Sequence, residues 1–274
     1  MTDRLTELRE EIYKILPEVD GVIALKKGPS AIVAPYLFVK EAADDLQKLA
    51  VWPKEPVPDT LKIIQRAHPE ARLAIVVRGC EERGLVEMSK HSQVDLDKVT
   101  LIGLACTAEE ADICRCTKPA PTHAKIVIGE RVEGTVDRLT DDFTAKSLEE
   151  KLAFWKQEYS HCIKCYGCRN ICPQCFCNVC TLEDEKWVET GRLPLPQPSM
   201  YHLIRSMHMT AKCVACRECE ETCPAGIPLS IQFRLIARDV KQMYGYETGE
   251  NLDQQPPQLL VLEEGEYERT GLPH

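Results

Sequence analysis

The chain has 274 residues, 44% of them hydrophobic and 28% charged, with a formal net charge of −9 and 15 cysteines. The length suits two domains with a modest core each. The acidic balance, with no basic patch of interleaved aromatics, argues against a nucleic-acid partner. The odd cysteine count and the clustering of thiols at metal-ligand spacings argue against a secreted disulfide scaffold.

The opening MTDRLTELREEIYKIL predicts a helix over residues 1–16, with Leu5, Leu8, Ile12, Ile15 and Leu16 at helical spacing. It has no apolar h-region and no small-residue cleavage site, so no signal peptide is read. No stretch approaches the ~20 apolar residues of a membrane helix. A soluble protein of the reducing cytoplasm is the expectation. VIAL and AIVAPYLFV, on either side of Gly28-Pro29, predict a strand pair, and the Pro-rich WPKEPVPDT (52–60) predicts a loop. A helix is expected over 61–68, a buried strand over 72–77, a helix over 80–90 and a second buried strand over 99–105. Near-continuous apolar strands joined by a helix imply a parallel βαβ unit. Ligand sites in such sheets lie at the carboxyl ends of the strands. Cys80 and Cys106 sit there, and share one edge if the two strands are neighbours.

Residues 125–134 predict a further strand and turn. TDDFTAKSLEEKLAFWKQEYS (140–160) predicts one helix leading into the first cysteine run, and LPLPQPS (193–199) a bend. MYHLIRSMHM predicts a helix entering the second run, and LSIQFRLIARDVKQMYG a helix leaving it, closed by Gly245. Together these elements predict an α/β N-terminal domain with a partly parallel sheet over 1–138. A mainly helical two-cluster ferredoxin-like domain is expected over 139–248 and an extended acidic tail over 249–274.

Cys162, Cys165, Cys168 and Cys172 are spaced C-x2-C-x2-C-x3-C before Pro173, and Cys213, Cys216, Cys219 and Cys223 repeat the spacing before Pro224. This is the two-cluster ferredoxin signature, in which three close thiolates hold one [4Fe-4S] cluster and the fourth reaches to the other. Two residues between ligands let a tight turn wrap the cube with amide N–H groups aimed at its sulfurs, and the proline sends the chain away. The expected sets are therefore Cys162, Cys165, Cys168 and Cys223 for one cluster, and Cys213, Cys216, Cys219 and Cys172 for the other. Each oxidised cluster adds about two negative charges to an already acidic chain.

Seven cysteines remain. Cys80, Cys106, Cys114 and Cys116 can converge into a four-thiolate cage for a third [4Fe-4S] cluster, aided by the positive end of the helix that Cys80 opens. The plain alternative is that Cys80 and Cys106 are ordinary buried residues. Cys175, Cys177 and Cys180, spaced C-x-C-x2-C, leave several readings open. They hold a fourth cluster with a ligand from elsewhere, hold zinc, exchange with ligands of the first run, or stay free thiols. His161, His202 and His208 are read as polar contacts, any one of which can donate to a cluster sulfur; none is assigned as a ligand. No Ser-His-Asp order, HExxH, P-loop or GxGxxG competes, so no catalytic residue is assigned.

The stretch RLAIVVRGCEERGLVEMSK…VDLDKVTLIGLAC resembles the beta-subunit family of deazaflavin-linked hydrogenases and formate dehydrogenases over roughly residues 15–130. HCIKCYGCRNICPQCFCNVC and CVACRECEETCPAGIPL resemble the two-cluster module of anaerobic redox complexes of the heterodisulfide-reductase-linked or formate-dehydrogenase-linked type. The resemblance implies an electron-transfer subunit with a cluster at Cys80, Cys106, Cys114 and Cys116. In the family this domain can also carry a flavin and reduce a deazaflavin coenzyme. The leading expectation is an iron–sulfur relay. It passes single electrons between a formate dehydrogenase- or hydrogenase-type catalytic partner and an acceptor subunit. The alternative is a beta subunit that binds FAD and itself turns over a (deaza)flavin or nicotinamide-type coenzyme. A zinc-stapled scaffold is a third reading.

Overall fold

A computed structural model of the chain describes residues 3–183 and 198–260. The expected first helix is α1 (Arg4–Ile15). The strand pair is β1 (Gly21–Lys27) and β2 (Val33–Phe38), followed by a two-residue strand β3 (Leu49–Ala50). Helix α2 (Val57–Ala67) begins inside the stretch expected to be a loop, because Pro58 in the first turn lacks only an N–H that a helix start leaves unpaired. β4 (Leu73–Val77), α3 (Gly79–Lys90) and β5 (Val99–Leu104) follow as expected. Next come a short helix α4 (Ala108–Ile113), which the sequence reading did not include, and β6 (Ile126–Ile128).

The sheet runs β2-β1-β4-β5-β6, with β3 also pairing β1. β1 is antiparallel to β2 and β3, while β1–β4, β4–β5 and β5–β6 are parallel. Successive side chains point to opposite faces, and both faces are covered. Val22, Ala24, Ala74, Val76, Ile102 and Leu104 pack with Leu8 and Ile12 of α1. Ile23, Leu25, Leu73, Ile75 and Val77 pack the other way, onto Leu61 of α2 and Leu85 and Met88 of α3. This double covering is why the strands read as nearly unbroken apolar runs.

The helix expected over 140–160 is two helices, α5 (Arg138–Ala145) and α6 (Leu148–Ser160). Lys146 is extended, and Ser147 restarts the helix with a capping box. The Glu150 N–H donates to Ser147 Oγ at 3.2 Å, and the Ser147 N–H to the Glu150 carboxylate at 2.7 Å. Helices α7 (Gly167–Asn170), α8 (Pro198–His208), α9 (Glu218–Glu221) and α10 (Leu229–Tyr244) complete the helical half. Gly245, at φ 61°, closes α10 in the left-handed region. The bend expected at 193–199 lies almost wholly outside the described residues, as does the tail beyond residue 260. The described part of that tail starts against α3. Tyr246 Oη donates to the buried Glu87 carboxylate at 2.5 Å, and the Gly249 N–H to the same oxygen at 3.2 Å. A Cβ on Gly249, at φ 74°, would meet the Arg83 carbonyl oxygen at 2.3 Å, so only glycine passes there. Among the described residues no helix is long and apolar enough to cross a membrane.

Candidate iron–sulfur centres

The two cysteine runs repeat one backbone trace. Lys164 (φ 51°) and Tyr166 (φ 60°) in the first match Ala215 (φ 57°) and Arg217 (φ 66°) in the second. The Lys164 N–H points at Cys162 Sγ and the Ala215 N–H at Cys213 Sγ, each at 3.4 Å. Left-handed backbone at a non-glycine residue costs of order 1–3 kcal/mol, and it concentrates where a site needs it. Here it turns successive N–H groups into a concave nest, the backbone form that receives phosphates and iron–sulfur clusters.

The fourth cysteine of each run crosses over. Cys162, Cys165, Cys168 and Cys223 line one cavity, closed by Tyr201, Ile227 and Leu229. Cys172, Cys213, Cys216 and Cys219 line a second, closed by Met209, Val214 and Phe233. Among the described residues no group of three or more His, Cys, Asp or Glu is arranged around a single metal ion. A tetrahedral zinc, with Zn–S near 2.3 Å, needs its thiolates within about 4 Å of one another. Four thiols spread around a cavity fit a larger group, and the nests and the donor set suit a [4Fe-4S] cube.

The parallel pairing of β4 with β5, Val77 opposite Gly103, brings Cys80 in the first turn of α3 and Cys106 after β5 to one edge of the sheet. A charge on Cys116 is felt by Cys80, Cys106 and Cys114, and Arg115, left-handed at φ 48°, stands between Cys114 and Cys116. Burial pushes the Cys80 thiol well up and that of Cys106 up to about 12, so ligation there must release protons. The loop behind them hangs on Glu82, 1% exposed, which accepts N–H bonds from Thr122 (2.6 Å), His123 (3.0 Å) and Ala124 (2.7 Å).

This third set abuts the second run. Lys54 Nζ donates to the Cys216 carbonyl, pairs with Glu218 at 3.1 Å, and faces Cys80, Cys114 and Cys216. Burial lowers the pKa of this lysine, but the surrounding thiols and Glu218 prevail and raise it. Arg115 bonds Glu220 at 2.5 Å, Arg217 donates to the Ile113 carbonyl at 2.5 Å, and Arg234 pairs with Asp137 at 2.6 Å. The first two bonds clamp the Cys114–Cys116 loop onto the second run, and Arg234 of α10 also donates to the Cys114 carbonyl at 3.4 Å. The sequence reading missed Lys54, Arg115 and Arg205, whose partners are distant in sequence; it contained no signal for them.

Cys175, Cys177 and Cys180 line a separate cavity with Arg169, Arg205, His208 and Lys212. Cys175 is lowered to about 6, chiefly by the hydrogen bond from Cys172, against burial and with help from Arg205. The other twelve cysteines fall in the three sets above, so this cavity has no fourth cysteine. His202 lines the first run's cavity, stacked on Tyr159 at 4.4 Å, with both ring nitrogens buried and unpartnered. Burial, then Arg205, lowers it to about 4, so it is neutral at pH 7. His161 caps the C-terminal end of α6, next to Cys162.

An α/β domain with a thiol-lined sheet edge, clamped to a helical module with two ferredoxin-type runs, is the architecture of a cysteine-rich redox subunit. No family model matches the chain. It is 37% identical over 146 residues to the F420-dependent formate dehydrogenase subunit beta of Methanocaldococcus jannaschii, a match spanning 52% of this chain and 38% of that protein. It is 28% identical over 347 aligned positions to the F420-dependent formate dehydrogenase 1 subunit beta of Methanococcus maripaludis, spanning 88% of this chain and 89% of that protein. The chain is a homologue of these beta subunits, which are subunits of an oxidoreductase. The second alignment is longer than the chain, so that relative carries segments with no counterpart here.

Proposed function

We propose that the chain is a cytoplasmic electron-transfer subunit of a formate dehydrogenase-type complex, holding three [4Fe-4S] clusters in file. One sits at Cys80, Cys106, Cys114 and Cys116. The next sits at Cys172, Cys213, Cys216 and Cys219, and the last at Cys162, Cys165, Cys168 and Cys223. The observation that carries this reading is the adjacency of the three thiol sets. Lys54, whose charge the thiols of Cys80 and Cys114 favour, bonds the Cys216 carbonyl, and Arg205 lines the cavity of Cys172 and Cys219 while donating to the Cys168 carbonyl. When bound, such clusters supply one-electron transfer at potentials set by burial, charge and hydrogen bonds to sulfur. The chain's own residues hold and space them: the nests direct N–H groups inward, the apolar walls exclude water, and the clamps at Arg115, Arg217 and Arg234 keep the sets together. Cys175, Cys177 and Cys180, with no fourth cysteine, are not counted as a cluster.

The relatives' names, which specify dependence on F420, favour a second reading: a beta subunit that itself exchanges electrons with that coenzyme, for which a bound flavin in the α/β half is the expected cofactor. Metal, sulfide and flavin analysis of anaerobically purified protein, with EPR after reduction, separates the two. The relay predicts about 12 iron and 12 sulfide per chain, neither zinc nor flavin, and a co-purifying formate-oxidising subunit. About 8 iron would remove the cluster at Cys80, about 16 would install one at Cys175, and bound flavin with F420 reduction would establish the second reading. Zinc without sulfide, or a chain always isolated alone, would overturn both.

A further inference from the structure

Arg205, on α8, is 2% exposed and lies between the two ferredoxin thiol sets. Its Nη2 donates to the Cys168 carbonyl at 2.8 Å and reaches Cys175 Sγ at 4.0 Å, and the guanidinium lies 4.8 Å from the centre of the Phe233 ring. Nε and Nη1 are buried without a partner. Among the described residues no carboxylate pairs with it; burial works against its charge, and the thiols of Cys172, Cys219, Cys168 and Cys175 outweigh burial. A buried guanidinium without a carboxylate partner is costly unless anionic sulfur surrounds it, and arginine does not escape by losing its proton. Lys54, the buried cation at the other junction, brings its own counter-ion in Glu218.

We infer that Arg205 is the shared counter-charge of the two ferredoxin clusters, its unpartnered N–H groups directed at their sulfurs, so that it raises both reduction potentials together. This rests on the reading that both thiol sets hold clusters. Each one-electron reduction adds a negative charge, and a fixed cation between two sites in a low-dielectric interior favours the reduced form of either. The Cys80 set faces Lys54 instead and serves as the internal control.

The test is a potentiometric titration followed by EPR on the full chain carrying Arg205→Met or Arg205→Lys, with iron and sulfide counted. In loaded Arg205→Met, two of the three midpoint potentials fall and the third stays. Arg205→Lys, which keeps the charge, returns most of both shifts. No shift, a shift in only one potential, or equal shifts in the two variants would overturn the inference. If Arg205→Met loses iron, full iron in Arg205→Lys supports the charge role, whereas loss in both marks a structural one and overturns it. A wild-type chain without iron and sulfide removes the underlying reading, and this inference with it.

Discussion

The two halves of the molecule close their cores by different means. In the α/β half both faces of the sheet are sealed by aliphatic side chains, with Ile23, Ile75, Leu61 and Leu85 wholly buried. In the helical half the core of Tyr159, Tyr201, Ile227, Leu229 and Phe233 is bordered by Cys162, Cys172, Cys213, Cys219 and Cys223. There the thiols are part of the wall, and the wall surrounds cavities. Atoms lining an unfilled gap have no partners on one side and forfeit dispersion contacts. The first half therefore stands on apolar burial, while on the proposed reading the second depends on its clusters.

Stripping iron with a chelator under mild oxidation is the strongest way to break this comparison, because a bound metal group contributes directly to folding free energy. Amide hydrogen exchange should then show α8 and α10 losing protection while β4 and β5 keep theirs. Uniform loss across both halves would refute the contrast. Ile75→Ala probes the other side. It should cost about 2–5 kcal/mol in denaturant unfolding of the α/β half, with iron content unchanged. A loss of iron would mean that the halves are not separable in this way.

Glu82→Gln sharpens the boundary between the halves. The amide keeps one acceptor oxygen for the three backbone N–H groups that the carboxylate now receives, at a cost of about 1–3 kcal/mol. The loop it holds follows Cys116, so iron should fall by about 4 per chain, with the two ferredoxin EPR signals retained. The smallest effect is expected for Arg238→Ala. Its 2.6 Å ion pair with Asp141 joins side chains 47% and 52% exposed, and such pairs contribute at most about 0.5–1 kcal/mol. A thermal midpoint shifted by more than a degree or two would show that this link between α5 and α10 matters more than its exposure implies.

Much of the local architecture was legible because it is written in neighbouring residues. The helix break at Lys146 was missed although Ser147-Leu148-Glu149-Glu150 is a capping box, and α4 was missed although Thr107 and Glu110 form another. Both signals were present. The apolar character of the surrounding stretch outweighed them in one case, and the brevity of the helix hid the other. The docking of Tyr246 and Gly249 on Glu87 had no such signal, since its partners lie about 160 residues away.

By itself the sequence determined the cysteine spacings, the apolar strands with the helix between them, and the two prolines that end the runs. These follow from local geometry, which a few consecutive residues impose through turn angles and side-chain alternation. Tertiary structure alone decided that Lys54 bonds a carbonyl 162 residues away beside the Cys80 set, and that among the described residues Arg205 meets thiols and no carboxylate. The physical reason is that a buried charge is defined by what surrounds it in space. Packing two halves together creates those surroundings, and no spacing along the chain records them.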